Sequence, residues 1–592
     1  MPSIYFIMKI NNIWAISVAI MAVSLYSCNS QPDITLEDHY QPNNILNTVA
    51  DSTLAAYCYN GTFIGRASGD VVAFKGIPYA KPPVGELRWK DPQRPDTSAQ
   101  IREAFYYSKS PIQTRSNSIL GSYNEIGEDC LYLNVWKNRS DTSTHKPVMV
   151  YIHGGSYGWG SSADPLYDGE NLVKRHPDIV IATVGYRLGM MGFIDFSGVD
   201  GGNEYADATN AGLLDQVAAL QWVKDNIAAF GGDPDNITVF GESAGAGSIS
   251  ILSVMPQTKG LYQKAILESG NIAMTYSKDE SRTLTEKLIE LTGAKSMADL
   301  MKIPENEIIA LNEKLNSYAN FPQRDGRIVP SDLFEAYRNG AAKDIKMIIG
   351  SNSDESRYWL HTFGSPMILK MGMQVLFENN TADFSDEDND KIETFMATTR
   401  CEDGWELPEF YNELMFRLPA LQQAEYQSEN GADVYMYYWR YPASIPNYGA
   451  SHISELSYVF GNLDVDIYTG SGNLDTLLSN RIQDIWVNFA RTGTPTDGTY
   501  TMSKYNTTLR ATTFFNSGND ISTEIKPLDS QRELLSPSLK YNVNGNFMHL
   551  SLNVPFVWKA AGVILLCIGT IVAVPIVLRR RKRSIRNATE PN

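Results

Sequence analysis

The sequence predicts an α/β fold: a largely parallel, twisted central sheet flanked by helices, built as a single large domain with insertions. Three observations predict it. Short β-branched runs alternate with helical patterns along the body of the chain. Their strand–helix–strand order implies parallel neighbours. The 592 residues are 43% apolar and 20% charged, close to the globular average, which excludes a disordered or collagen-like chain. At about 150 residues per domain the length would allow several domains, but one large α/β domain also fits.

The strand candidates are residues 148–152 (VMVYI), 179–184 (IVIATV), 237–240, 346–349 and 434–438. Between the second and third, residues 210–230 place Leu213, Leu214, Val217, Leu220, Val223, Ile227 and Phe230 near a 3.6-residue period, the mark of an amphipathic helix. No internal repeat or low-complexity tract interrupts this body.

The two ends read as targeting segments. An uncharged apolar run, 13–26, follows Lys9 and suits a signal peptide over residues 1–27. Its end, Leu25-Tyr26-Ser27-Cys28, is similar to a bacterial lipoprotein box, which would make Cys28 a lipidation site. Residues 28–54 are polar and read as a linker to a catalytic domain at 55–545. Residues 554–578 read as a transmembrane segment, with 19 uncharged residues at 560–578, about enough to cross a ~30 Å hydrocarbon core. The basic tail 579–592 opens with Arg579-Arg580-Arg581-Lys582-Arg583. By the positive-inside rule it is cytoplasmic and the body extracytoplasmic, at the cell surface or in the periplasm. The formal charge is −17. Residues 1–27 hold +1 and residues 554–592 hold +6, so the body between them holds −24, which argues against a nucleic-acid partner. Cys58, Cys130 and Cys401 remain for the body, allowing at most one internal disulfide, and their spacing fits no metal site.

Gly241-Glu242-Ser243-Ala244-Gly245 matches the G-x-S-x-G nucleophile elbow. Gly154-Gly155-Ser156-Tyr157-Gly158 matches the same pattern, so context must separate them. Ser243 follows the strand-like ITVF and precedes a small-residue helical start. A sharp strand-to-helix turn exposes its hydroxyl where backbone N–H groups face developing negative charge. Ser156 lies in a segment too rich in glycine to begin a helix, but it directly follows the strand 148–152. That suits a loop donating the N–H groups of Gly155 and Ser156, with that of Ala244, to an oxyanion.

A serine nucleophile needs a general base oriented by a carboxylate. In the order Ser, acid, His, the candidates after Ser243 are His361, His452 and His549, and the loop Gly449-Ala450-Ser451-His452 suits the base. The acid loop follows the strand 346–349 and offers both Asp354 and Glu355. The residues alone leave that choice open.

These motifs resemble the type-B carboxylesterase/cholinesterase family of the α/β-hydrolase fold over about residues 55–540. Phe74-Lys75-Gly76-Ile77-Pro78-Tyr79-Ala80 is similar to the family's opening signature, and Glu128-Asp129-Cys130-Leu131-Tyr132-Leu133-Asn134 to its second. GGDP running into FGESAG resembles the elbow signature, GASHISELSYVFG the histidine loop, and WVNFARTG (486–493) the late helix. IGSNSDE (349–355) resembles the acid loop, in which the Glu is catalytic, and this implies Glu355. The resemblance implies Ser243, Glu355 and His452 as the triad, an ester substrate, and no metal or organic cofactor. The chain departs from the pattern in three places. Ser110-Pro111-Ile112 stands where relatives carry the cysteine that pairs with the second motif, which would leave Cys130 unpaired unless Cys58 reaches it. Ser156 replaces a common third glycine. Residues 115–127 lack the tryptophan that binds choline, so a choline ester is not expected. The expected function is a membrane-anchored serine carboxylesterase. The rival readings are a catalytically silent, neuroligin-like adhesion ectodomain and a lipase on long-chain esters.

Overall fold

The computed structural model describes residues 41–113, 125–315, 321–360, 365–380, 385–399, 401–402, 404–465, 469–470, 472 and 474–535. The expected signal peptide, Cys28, the transmembrane segment and the basic tail lie outside them. Among the described residues no helix is long and apolar enough to cross a membrane.

A 14-stranded sheet runs through the domain. Its first part contains β1 (Ile45–Leu46), β2 (Ala55–Cys58), β3 (Gly61–Ser68), β4 (Val71–Pro78) and β5 (Ile101–Ala104). A separate two-stranded parallel ribbon joins β6 (Ser110–Pro111) and β7 (Ile126–Gly127). Then β8 (Tyr132–Asn138) leads into β9 (Lys146–Ile152), β10 (Val180–Val184), β11 (Gly232–Glu242) and β12 (Lys264–Glu268). The far edge holds β13 (Lys346–Asn352), β14 (Val434–Trp439), β15 (Thr512–Ser517) and β16 (Asp520–Glu524). The spatial order is β1-β5-β3-β4-β8-β10-β9-β11-β12-β13-β14-β15-β16, with β2 beside β3. From β10 to β15 every neighbouring pair is parallel, whereas β4, β8 and β10 pair antiparallel.

The parallel strands explain the apolar runs. All residues of β10, β12 and β14 are buried, as expected where helices cover both faces of a parallel sheet. All five expected strands form. β11 is longer than the expected 237–240, because Gly232 already pairs with Lys146 before a register shift at the Pro- and Asp-rich turn. The expected helix 210–230 is α1 (Ala211–Asn226) followed by a 3₁₀ turn at Ile227–Phe230, and Gly231 at φ 86° ends it in the left-handed region. Next come α2 (Ala244–Leu252) and α3 (Thr476–Thr492). α3 is capped by Asp475, whose side chain accepts from Leu478 N–H, and it is stopped by Gly493.

The antiparallel strands before β9 do not stand out in the sequence. β3 reads GTFIGRAS, and β4 is interrupted by a bulge between Phe74 and Ile77, which breaks the alternation a strand would show. The described part of the expected linker also joins the sheet, with Ile45 and Leu46 pairing with Arg102 and Ile101. Cys58 and Cys130 are free thiols, so the pairing of the second motif's cysteine is absent here.

Candidate active site

The site is assembled at the carboxyl ends of β9, β11, β13 and β14, where a parallel sheet gathers its loops. β11 ends at Glu242 and α2 begins at Ala244, leaving Ser243 in the turn at φ 55° and ψ −121°. A non-glycine residue holds such a conformation only where its surroundings over-determine it. Here the Ser243 N–H donates to Glu268 O (2.8 Å) and its carbonyl accepts from Gly247 N–H (2.9 Å). The neighbouring glycines are there for space. A Cβ on Gly245 would lie 1.9 Å from Ile152 O, and one on Gly241 2.5 Å from the same oxygen. The Ser243 hydroxyl makes no capping bond to its helix, and Ser243 lines a cavity of about 40 Å³.

The loop after β9 forms the facing wall. Gly155, Ser156 and Tyr157 all have positive φ (102°, 53° and 57°), and a Cβ on Gly155 would lie 2.1 Å from Trp159 O. Gly154 passes so close to the elbow that its Cβ would sit 3.0 Å from Ser243 Cβ. Gly155, Ser156 and Ala244 line the same cavity as Ser243, and Ala244 is the first residue of its helix, where N–H groups have no intrahelical acceptor. At the start of the loop, buried His153 bonds through Nδ1 to Gly154 O (2.8 Å), and Tyr186 donates to His153 O (2.8 Å). Burial lowers the His153 pKa to about 4, so its ring is neutral at physiological pH.

His452 reaches the cavity from the loop after β14. Its Nδ1 lies 2.6 Å from Glu355 Oε2. The other oxygen of Glu355 accepts from Asn352 N–H (2.8 Å), and His452 N–H donates to Glu355 O (3.3 Å). Asp354, the other eligible acid, points elsewhere: its carboxylate accepts from Ala450 N–H (3.0 Å) and pairs with Arg357 (2.9 Å). Between the two acids left open by the loop's sequence, it is Glu355 that meets the histidine.

The motif reading missed a second carboxylate. Glu242, one residue before Ser243, puts Oε1 3.0 Å from His452 Nε2, a charge contact not aligned as a hydrogen bond. Burial alone would lower the His452 pKa, but the charges of Glu242 and Glu355 and their contacts with the ring outweigh it and hold the pKa well above the usual histidine value. Burial in turn raises the Glu242 carboxyl, against the pull of His452. The signal was in view as the variable position of G-x-S-x-G, where a glutamate between a buried strand and the nucleophile has no solvent to face. Aromatic rings enclose the imidazole: Phe416 at 4.9 Å, Tyr358 at 5.5 Å and Trp359 at 6.2 Å, the last stacked at 12°. Met274, Phe321 and Trp159 complete a mostly apolar wall.

Comparison with known proteins identifies the family and the fold. Residues 54–531 match the model of the carboxylesterase family. A para-nitrobenzyl esterase of Bacillus subtilis (strain 168) is 36% identical over 501 residues, 81% of this chain and 97% of that protein. A fumonisin B1 esterase of Sphingopyxis macrogoltabida is 30% identical over 465 residues, 76% of this chain and 84% of that protein. Among solved structures, a carboxylesterase of Geobacillus stearothermophilus superposes with a TM-score of 0.74 at 33% identity, covering 82% of this chain and 100% of that one. Sequence and fold thus agree over the same span, and the chain belongs to the type-B carboxylesterase family of α/β-hydrolases and is a serine ester hydrolase.

Proposed function

We propose that the protein is a membrane-anchored, extracytoplasmic carboxylesterase whose catalytic residues are Ser243, His452 and Glu355. Ser243 attacks the ester carbonyl while His452 takes its proton, and Glu355 fixes the imidazole tautomer and stabilises the imidazolium. The N–H groups of Gly155, Ser156 and Ala244 stabilise the tetrahedral oxyanion, each worth about 2.7–4 kcal/mol by the cost of removing one such donor. His452 then returns the proton to the leaving alcohol, and water hydrolyses the acyl-enzyme by the same route. The observation that carries this reading is the 2.6 Å contact between His452 Nδ1 and Glu355, beside the cavity that Ser243 shares with the three donors. The present nucleophile, base and acid disfavour a silent adhesion ectodomain. The cavity beside Ser243 is lined mostly by apolar and aromatic side chains, which suits an apolar acyl group.

Ser243→Ala should lower hydrolysis of p-nitrophenyl acetate by about 10⁵- to 10⁶-fold and abolish fluorophosphonate labelling. Turnover near that of the unmodified enzyme would refute the assignment. A profile of p-nitrophenyl esters from acetyl to palmitoyl separates a short-chain carboxylesterase from a lipase on long-chain esters. Anchoring rests on the uncharged apolar run 560–578 and the basic tail. In a Cys28→Ala background, deleting 554–592 should move esterase activity from the membrane pellet to the supernatant, and activity that stays in the pellet would rule the anchor out.

A further inference from the structure

We infer that Gln113 is a positioning residue for the oxyanion loop, holding its far end in register with Ser243. This rests on the reading of Ser243 as nucleophile and of Gly155 and Ser156 as oxyanion donors. Gln113 is fully buried and lies 47 residues before its partner in sequence. Its side-chain amide grips one residue from both sides: Nε2 donates to Gly160 O (2.8 Å) and Oε1 accepts from Gly160 N–H (3.0 Å). Nε2 also bonds to Pro111 O at the end of β6 (3.1 Å), and Ser110 in the same strand bonds to Ser161 Oγ (2.8 Å). The segment 110–113 is therefore stitched to residues 160–161.

The grip matters because of what Gly160 touches. At φ 109° it is pressed against the start of its own loop, where a Cβ would lie 2.5 Å from His153 Nδ1 and 2.7 Å from Gly154 O. The Gly155 carbonyl accepts from both Gly158 N–H (2.9 Å) and Trp159 N–H (3.0 Å). A shift of Gly160 is thus passed directly to Gly154 and Gly155. Three consecutive residues at positive φ cannot keep that shape without such supports. The start of the loop has its own support in Tyr186, so Gln113 supplies the second of two fixed ends. An oxyanion donor is useful only when aimed at the oxygen of the tetrahedral state rather than that of the planar ester. Loss of the clamp should therefore be felt in the transition state and not in substrate binding.

The experiment compares Gln113→Met, which keeps volume and removes both bonds, with Gln113→Glu, which keeps the acceptor alone. A misplacement of the loop by about 1 Å costs about 10²-fold, so Gln113→Met should lower kcat on p-nitrophenyl acetate by about that factor with KM within about twofold. Gln113→Glu, whose second carboxylate oxygen would face the Gly160 and Pro111 carbonyls in place of a donor, should lose at least as much as Gln113→Met. A trifluoromethyl ketone, which adds the serine to form a tetrahedral oxyanion, should lose affinity in step with kcat/KM. The planar, unreactive 4′-nitroacetanilide should bind unchanged. Equal losses for both inhibitors, or a trifluoromethyl ketone affinity within about twofold of the unmodified enzyme, would overturn the inference. If Gln113→Met lacks a cooperative thermal transition, Gln113→Asn, which keeps a neutral amide one methylene short of Gly160, carries the same comparison. Failure of the Ser243 reading would show separately, as a trifluoromethyl ketone that binds the unmodified enzyme no better than the anilide.

Discussion

Two buried carboxylates face the two nitrogens of His452, and they are held in opposite ways. Glu355 is fixed at both oxygens, one by Asn352 N–H and the other by His452 Nδ1, on a turn that itself bonds to the histidine's backbone. Glu242 Oε1 sits 3.0 Å from Nε2 yet has no aligned donor. The acid loop thus sets the direction of the ring, while the elbow supplies a charge beside the nitrogen that must take the serine's proton. Similar burial and similar distance give different roles because one contact is directional and the other is not.

The largest break in this comparison is Glu355→Gln. A glutamine amide can accept no more than the neutral tautomer allows, cannot stabilise the imidazolium, and permits the wrong ring orientation. The expected loss is about 10⁴-fold in kcat on p-nitrophenyl acetate at every pH tested. Ser243 stays in place, so slow stoichiometric labelling by a fluorophosphonate should remain. A loss under tenfold would mean that Glu355 is not the orienting acid.

Glu242→Gln should act differently, through pH. His452 works as a base only when unprotonated, and the facing charges hold its pKa well above the usual histidine value. Activity therefore rises as pH climbs through that pKa. Removing the Glu242 charge destabilises the imidazolium, so the pKa falls and the acid limb of kcat/KM moves to lower pH. Glu355 stays against Nδ1 and limits the shift. At alkaline pH the variant should lose about tenfold or less, since the imidazolium formed during reaction also loses a counter-charge. An acid limb that stays put, or moves upward, would remove Glu242 from the electrostatics of the base.

The contrast also marks what the sequence makes legible. β9, β10, β11, β13, β14 and α1 follow from apolar runs and a 3.6-residue period because a parallel sheet buries its strands on both faces, whereas β12, just as buried but reading KAILE between two charged residues, does not stand out. The elbow is legible because its glycines answer local crowding: Gly241 and Gly245 press on Ile152 O, and any larger residue would collide. His452 was readable by order and loop composition, but Glu355 and Asp354 were separable only by resemblance, since adjacent residues on one turn differ in direction and not in pattern. The Glu242–His452 contact and the Gln113 clamp were not legible. Both join segments far apart in the chain, and neither has a local periodicity or turn to announce it.

The smallest expected effect tests whether the acid loop gives the imidazole more than a carboxylate. The 3₁₀ turn that begins at Glu355 ends at Trp359, so one short element delivers both the orienting oxygen and the flat ring stacked on His452 at 12°. The elbow side offers Nε2 no such face. With the ring centroids 6.2 Å apart, at the outer reach of such a contact, the aromatic face stabilises the cation that forms on His452 by about 0.5–1 kcal/mol. Trp359→Leu keeps an apolar wall and removes that face, so kcat should fall by about 2- to 5-fold. Because the charge forms only during reaction, the loss should also appear in trifluoromethyl ketone binding, where the tetrahedral adduct pairs with an imidazolium. A variant that changes only KM would assign Trp359 to the substrate wall alone, and the acid loop would then differ from the elbow in hydrogen-bond direction and in nothing else.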